Sequence, residues 1–188
     1  MPSRKHFFSA GQFYHIYNRG NEGKPIFFER DNYLFFLKRM HDYSLKMQID
    51  VVCYCLMPNH FHLLLKQAAE ISIAVFMASL CTSYAKAINK RIDRAGHLFQ
   101  QRYQEKIIDK NEYLLYLFRY IHLNPVVAGL AKRPEDWEFS SYRDFIDLRS
   151  GRLPKREYIF NEFIDVGQYR EFMQMEDVEK KIKGYVFD

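Results

Sequence analysis

The sequence predicts an α+β fold in which helices pack on one face of a four-stranded antiparallel sheet. Two observations carry this prediction. The first is a hairpin signal, because two apolar, β-prone runs flank the turn dipeptide Pro58-Asn59. The second is the order of the segments along the chain, β-α-β-β-α-β, with one further helix after the last strand. This order is that of the ferredoxin-like plan.

Short runs rich in β-branched and aromatic residues predict the four strands, because such side chains favour an extended backbone. The runs cover residues 12–18, 49–56, 60–66 and 101–108. Gly96 breaks the chain before the last of them.

Apolar residues at helical spacing predict the helices. The first begins near Asp31, a candidate N-cap, and the second covers residues 71–91 and ends in cations, which suit a helix C-terminus. The third begins at residue 111 and should stop near Asn124, because Pro125 disfavours helical geometry in the residue before it.

The length of 188 residues suits one domain with a small appendage. A linker-like stretch at residues 150–154 (SGRLP) places the main domain at residues 1–149 and a linker with a helical C-terminal appendage at 150–188. Three cysteines without framework spacing indicate a reducing compartment, and no apolar run approaches the roughly 18 residues of a membrane span. We therefore expect a cytoplasmic protein that does not associate with membranes.

The net charge of +5 is concentrated in one stretch. Between residues 84 and 110, seven cations stand against three carboxylates, which accounts for four of the five net charges. Such a stretch favours a polyanionic partner, although a solvated helix face is the plain alternative. Aromatic residues make up 17% of the chain and could stack on nucleobases. The candidate phosphate contacts are Arg19, Lys86, Lys90, Arg91, Arg94, Arg102 and Lys106.

Two histidines in the predicted third strand are the strongest chemical signal. Because side chains alternate along a strand, His60 and His62 share one face of the sheet. Neutral imidazole is a common ligand of divalent metals, so the pair predicts part of a metal site. Two ordinary histidines are the plain alternative. A zinc site that includes Cys53 and Cys55 is also conceivable, but the hairpin supplies no closed tetrahedral set.

The third predicted helix supplies a candidate third metal ligand and a candidate nucleophile, which the histidine pair lacks. Tyr120 and Asn124 are four residues apart and therefore lie one turn from each other on one helical face. An amide carbonyl suits Mg²⁺ or Mn²⁺, and a phenol is a candidate nucleophile. The other two tyrosines of the helix, Tyr113 and Tyr116, are followed at this spacing by Leu117 and by Tyr120, neither of which suits a hard cation.

These groups together predict phosphoryl transfer. A phenol, with a pKa of about 10, attacks phosphorus poorly unless a metal or neighbouring groups favour the phenolate. A divalent ion held by His60, His62 and Asn124 would polarise the scissile phosphate. The phosphotyrosine ester would conserve the energy of the broken bond, so rejoining to another strand would need no ATP.

Two motifs carry a family resemblance. Residues 57–64 (MPNHFHLL) resemble the His-hydrophobe-His signature of the single-tyrosine HUH transposases, and residues 120–126 (YIHLNPV) resemble their tyrosine-helix motif. Residues 96–103 (GHLFQQRY) and 137–142 (WEFSSY) are similar to the REP-associated branch, as is Asn124, where insertion-sequence members usually carry Gln. The resemblance extends over residues 12–145.

The resemblance implies an enzyme, with residues 1–149 as its catalytic domain, that cleaves and joins single-stranded DNA through a 5′-phosphotyrosine intermediate. It implies Mg²⁺ or Mn²⁺ as the cofactor, DNA hairpins as the partner and either a monomer or a homodimer. Tyr120 would be the nucleophile, with His60, His62 and Asn124 as metal ligands. The alternative function is a regulator that binds nucleic-acid hairpins on its sheet without cutting them.

Overall fold

Four strands form one antiparallel sheet in a computed structural model that describes residues 8–109 and 111–174, except for the side chains of residues 111 and 112. The strands are β1 (Phe13–Arg19), β2 (Ile49–Met57), β3 (His60–Gln67) and β4 (Gln104–Ile108), in the spatial order β2-β3-β1-β4. The predicted α+β, ferredoxin-like sheet is therefore confirmed, and its hairpin turns at Pro58-Asn59.

The fourth strand is shorter than predicted, because it begins at Gln104 rather than at residue 101. The preceding residues meet the end of β1 through separate contacts. Gln100 donates its backbone N–H to the carbonyl of Arg19 (3.0 Å), and the side chain of Asn18 donates to the carbonyl of Gln101 (3.1 Å). These bonds fix the segment before β4 without extending the ladder.

Helices α1 (Arg30–Met47) and α2 (Ile73–Arg91) cover one face of the sheet, as predicted. Asp31 is not the N-cap of α1, because the N-cap is Glu29, two residues earlier, which forms a reciprocal capping box with Asn32. The side chain of Ser72 caps α2 by accepting a hydrogen bond from the backbone N–H of Ala74 (3.2 Å).

Helix α3 (Asn111–Val127) lies on the opposite face of the sheet and passes through Pro125. The prediction that it stops near Asn124 was wrong. A proline in the last turn removes only its own N–H from the helix. Backbone bonding continues past the proline, since Asn124 accepts from the N–H of Ala128 (2.9 Å) and Pro125 from that of Leu130 (2.8 Å). Asn124 therefore lies within the helix, and its side-chain direction is fixed.

The C-terminal elements pack against α3. They are the short helices α4 (Tyr142–Phe145), α5 (Glu157–Phe160) and α6 (Val166–Gln174). Tyr169 and Met173 of α6 are buried in the same apolar cluster as α3, and the side chain of Arg119 donates to the carbonyl of Met173 (3.1 Å). The described part of residues 150–188 thus contains two helices, α5 and α6. The division of the chain at residue 149 stays a prediction, and residues 175–188 lie outside the described residues.

None of the helices in the described ranges, 8–109 and 111–174, is long and apolar enough to cross a membrane.

A buried histidine links α3 to the C-terminal elements and should make the stability of the fold depend on pH. His122 hydrogen-bonds Tyr169 Oη through Nδ1 (2.9 Å) and Ser141 Oγ through Nε2 (2.7 Å). Burial, aided by the nearby charge of Arg149, lowers the pKa of His122 from 6.5 to about 3. Between those two values the unfolded chain binds a proton that the folded chain does not, so stability falls as the pH falls from 6.5.

We expect His122→Gln to remove this pH dependence. The measurement is the free energy of unfolding in urea, with EDTA present, at pH 7 and at pH 5. The difference between the native chain and the variant should be about 2 kcal/mol less favourable to the native chain at pH 5 than at pH 7. An advantage that is equal at both pH values would contradict the assignment of the shift to His122.

Candidate metal and tyrosine site

The two histidines of β3 lie on the sheet face that α3 covers. His62 is fully buried and His60 is partly exposed, with their ring centroids 5.2 Å apart and their planes at 83°. Strand alternation accounts for the shared face, as Phe61 between them points into the core on the other side.

Asn124 faces His60 from the last turns of α3. The Nε2 atom of His60 lies 3.1 Å from Asn124 Oδ1, while its Nδ1 atom lies 2.7 Å from Asn59 Oδ1. Burial lowers the pKa of His60, so its ring is neutral at pH 7 and carries a single hydrogen. In the tautomer that donates this hydrogen to Asn59, the Nε2 lone pair and Asn124 Oδ1 are both available to one cation bound beside them.

A third histidine contacts the ring of His62 on the adjacent strand. The Nδ1 atom of His62 lies 3.0 Å from Nε2 of His15 in β1, and the two rings are stacked with centroids 5.2 Å apart. Burial, followed by the nearby His15 and His60 rings, lowers the pKa of His62 well below its usual range. The ring is therefore neutral, as metal ligation requires. Because Nδ1 is engaged with His15, His62 would bind a metal through Nε2.

The donor set fits a small divalent ion. Adjacent ligands of an octahedral ion with bonds near 2.1 Å are about 3 Å apart, and the distance between His60 Nε2 and Asn124 Oδ1 is 3.1 Å. Within residues 8–109 and 111–174, no three His, Cys, Asp or Glu side chains form a metal-binding group. The candidate donor set is two imidazoles and one amide oxygen, and substrate oxygens or water would complete the coordination of a bound ion.

The thiols near the site do not suit a zinc ion. Cys55 pairs directly with His62 across the sheet, but its Sγ atom lies 3.6 Å from Met57 Sδ in an apolar setting. Burial raises the pKa of Cys55 and also that of Cys53, and neither thiol belongs to a group of three metal-binding His, Cys, Asp or Glu side chains in the described residues.

Tyr120 completes the site from one turn before Asn124. Its ring lies edge-on to His62, with centroids 5.4 Å apart at 83°. The side chain is partly exposed, whereas Asn124 is only 7% exposed. The helical spacing predicted from the sequence thus places Tyr120 and Asn124 beside the histidine pair within one chain.

The predicted phosphate contacts fall into separate groups. Lys86 and Arg102 line one groove of about 530 Å³, between α2 and the segment that leads to β4, together with His97 and Phe99. Arg102 also lies over the ring of Tyr103, at 5.4 Å.

The remaining cations lie around this groove or away from it. Arg19 donates to Gln100, and Arg94 donates to the carbonyl of His97 at 3.2 Å. Lys90 and Arg91 line a second depression beside α1, where Arg91 pairs with Glu29 at 2.6 Å. Lys106 is partly buried in β4.

The sequence did not assign His15 to this site. This histidine is fully buried and pairs with Leu64 across the sheet, which makes His62 its diagonal neighbour. The alternation of His15 with Tyr17 indicates a shared strand face, but only the register of β1 against β3 brings His15 to His62.

Comparison with known proteins identifies the family. The model of the family described as "Transposase IS200 like" matches residues 10–124, which include both histidines, Tyr120 and Asn124. A protein of Haemophilus influenzae, provisionally named a REP-associated tyrosine transposase, is 27% identical over 103 residues; the match covers 50% of this chain and 58% of that protein.

A solved structure shares the fold. It is that of a REP-associated tyrosine transposase bound to a REP hairpin, with a TM-score of 0.66 and 16% identity over 78% of this chain and 86% of the other. The family resemblance drawn from residues 57–64 and 120–126 is thus confirmed. With the family model covering more than half of its length, the chain belongs to the IS200-like transposases.

Proposed function

We propose that this chain cleaves and rejoins single-stranded DNA at hairpins, with Tyr120 as the nucleophile and Mg²⁺ or Mn²⁺ bound by His60, His62 and Asn124. The observation that carries the proposal is the convergence of these groups: the Tyr120 ring lies 5.4 Å from that of His62, beside the 3.1 Å contact of His60 with Asn124. A hydrolase that activates water would not need the tyrosine.

The proposed reaction exchanges one phosphodiester for another. The hydroxyl oxygen of Tyr120 attacks the phosphorus, the bond to the 3′-oxygen breaks, and the leaving strand takes up a proton as a 3′-hydroxyl. The tyrosine then holds the 5′-phosphate of the other fragment. A bound divalent ion would neutralise charge on the phosphate oxygens. Attack by a 3′-hydroxyl on the phosphotyrosine reverses the step and regenerates the phenol, so no external energy source is consumed.

The chain's own residues set up this exchange. Helix α3 fixes the phenol relative to Asn124, because both side chains leave the same helical face. Burial keeps His60 and His62 uncharged, so both offer lone pairs at neutral pH. Tyr120 is partly exposed and can therefore meet a strand that enters from solvent.

The groove lined by Lys86 and Arg102 is our candidate path for the DNA. The cations would contact phosphates, and Phe99, which is partly exposed at the groove, offers an aromatic face to a base. The similar structure contains a REP hairpin, and we extend that class of ligand to this chain.

Substitution of the groove cations should weaken the salt dependence of binding. We expect Lys86→Ala and Arg102→Ala each to reduce the slope of log affinity against log salt by about 1, because each removes one phosphate contact. The measurement is fluorescence anisotropy of a labelled DNA hairpin from 50 to 200 mM KCl in EDTA. Arg91→Ala is the matched control: Arg91 already pairs with Glu29, so its loss should change the slope less. An equal reduction of the slope in Arg91→Ala would contradict the binding of DNA in the groove lined by Lys86 and Arg102.

The decisive experiment traps the covalent intermediate with two labels. A single-stranded hairpin substrate with flanking single strands is labelled at either end, incubated with the chain and Mn²⁺ or Mg²⁺, and run on a denaturing gel. A 5′-phosphotyrosine carries the 3′ label with the protein and releases the 5′ label on a shortened strand. EDTA should abolish both products.

The other outcomes discriminate between functions. Transfer of the 5′ label to the protein would reverse the proposed polarity. Tight hairpin binding without any adduct would favour the alternative, a non-cleaving hairpin-binding regulator.

A further inference from the structure

His15 is buried beside the proposed metal site without being able to join it. Its ring is 0% exposed and stacks on His62 at an interplanar angle of 21°. The Nε2 atom, the distal nitrogen of the ring, is the one that lies 3.0 Å from His62 Nδ1. That nitrogen is therefore occupied by the contact with His62, and no three His, Cys, Asp or Glu side chains of the described residues converge as a metal-binding group.

The contact between the two imidazoles places one hydrogen between two ring nitrogens. A neutral imidazole that binds a metal through Nε2 carries its hydrogen on Nδ1. His62 Nδ1 must then be the donor, and His15 Nε2 must be the acceptor. It follows that His15 holds its own hydrogen on Nδ1, so the tautomers of both rings are set by one 3.0 Å bond.

We propose that His15 is a positioning residue that fixes the tautomer and orientation of His62 for metal binding. The inference rests on the proposed metal-dependent function. Metal-binding histidines usually donate their second N–H to a carboxylate, a backbone carbonyl or water. Here the acceptor is a neutral imidazole, which adds no negative charge. A divalent ion on His60, His62 and Asn124 would therefore keep its full charge for the phosphate.

Substitutions at His15 separate this role from simple packing. His15→Gln places an amide oxygen near the position of Nε2, whereas His15→Phe keeps a ring but offers no acceptor. Tyr14→Phe is the matched control, because it removes a hydrogen bond from the same strand, that of the Ser9 N–H to Tyr14 Oη (2.8 Å), on the opposite face.

The measurement is a titration of the DNA-free chain with Mn²⁺, in which the electron paramagnetic resonance signal reports the concentration of the unbound ion. We expect His15→Phe to bind Mn²⁺ about 10- to 100-fold more weakly, as is typical when the partner of a metal-binding histidine is lost. His15→Gln should restore much of that affinity, and Tyr14→Phe should bind as the native chain does. Native affinity in a folded His15→Phe variant, or equal weakness in His15→Gln and His15→Phe, would overturn the proposal.

A second measurement covers the case in which His15→Phe fails to fold. In a long-range ¹H–¹⁵N spectrum of the native chain with Mg²⁺, His15 Nε2 should carry no hydrogen and His62 Nδ1 should carry one. The opposite tautomers would overturn the role of His15. Failure of the proposed metal site is distinct: the native chain would then bind no Mn²⁺, or His62→Ala would bind it unchanged.

Discussion

Tyr120→Phe is expected to abolish the covalent adduct and to lower the rate of strand cleavage by about 10³-fold or more, as is typical when a catalytic nucleophile is removed. The substitution deletes one oxygen from a partly exposed side chain and keeps the ring that packs edge-on to His62. Folding and metal binding should therefore be retained. The measurement is single-turnover cleavage of the 3′-labelled hairpin, with the adduct resolved on a denaturing gel.

Tyr116→Phe is the matched control for this variant. Tyr116 lies one turn earlier on α3, is also partly exposed, and contacts the ring of Phe172 with centroids 6.4 Å apart. We expect it to form the adduct at the native rate. An adduct that persists in Tyr120→Phe and disappears in Tyr116→Phe would move the nucleophile by one turn and would separate it from Asn124.

Loss of either histidine of β3 should have the second large effect. We expect His60→Ala and His62→Ala each to weaken Mn²⁺ binding by about 10²-fold or more, because each removes a ligand from a set of three. Cleavage should fall in parallel, while hairpin binding in EDTA should stay at the native level. Metal titration and anisotropy on the same preparations measure both quantities.

The two variants should differ in stability, which provides an internal check. His62 is fully buried, so its replacement leaves a cavity and deprives His15 of its partner, whereas His60 is partly exposed. We therefore expect a lower melting temperature for His62→Ala than for His60→Ala. Cleavage at the native rate by either folded variant would contradict the proposed ligand set.

The local parts of this molecule could be predicted from its sequence. The hairpin at Pro58-Asn59 and the shared face of His60 and His62 depend only on turn chemistry and strand alternation. The spacing of Tyr120 and Asn124 depends only on the helical period. These rules act over a few residues, so tertiary contacts did not alter their outcome.

The parts that depend on tertiary contacts could not be predicted. Pro125 was expected to end α3, but the helix is held by packing of Phe118 and Ile121 in a buried cluster, and the local rule is overridden. His15 meets His62 only through the register of β1 against β3, which no single strand encodes. The contact of Arg119 with Met173 joins residues 54 positions apart.

The placement of Tyr120 beside His62 of the same chain has a kinetic consequence. A nucleophile and a metal site on one polypeptide meet at an effective concentration that dilution does not change. With DNA in saturating excess, the observed cleavage velocity should rise with the first power of protein concentration. If the tyrosine came from a second chain, the velocity would rise with a higher power of protein concentration, as long as that concentration is below the dissociation constant of the dimer.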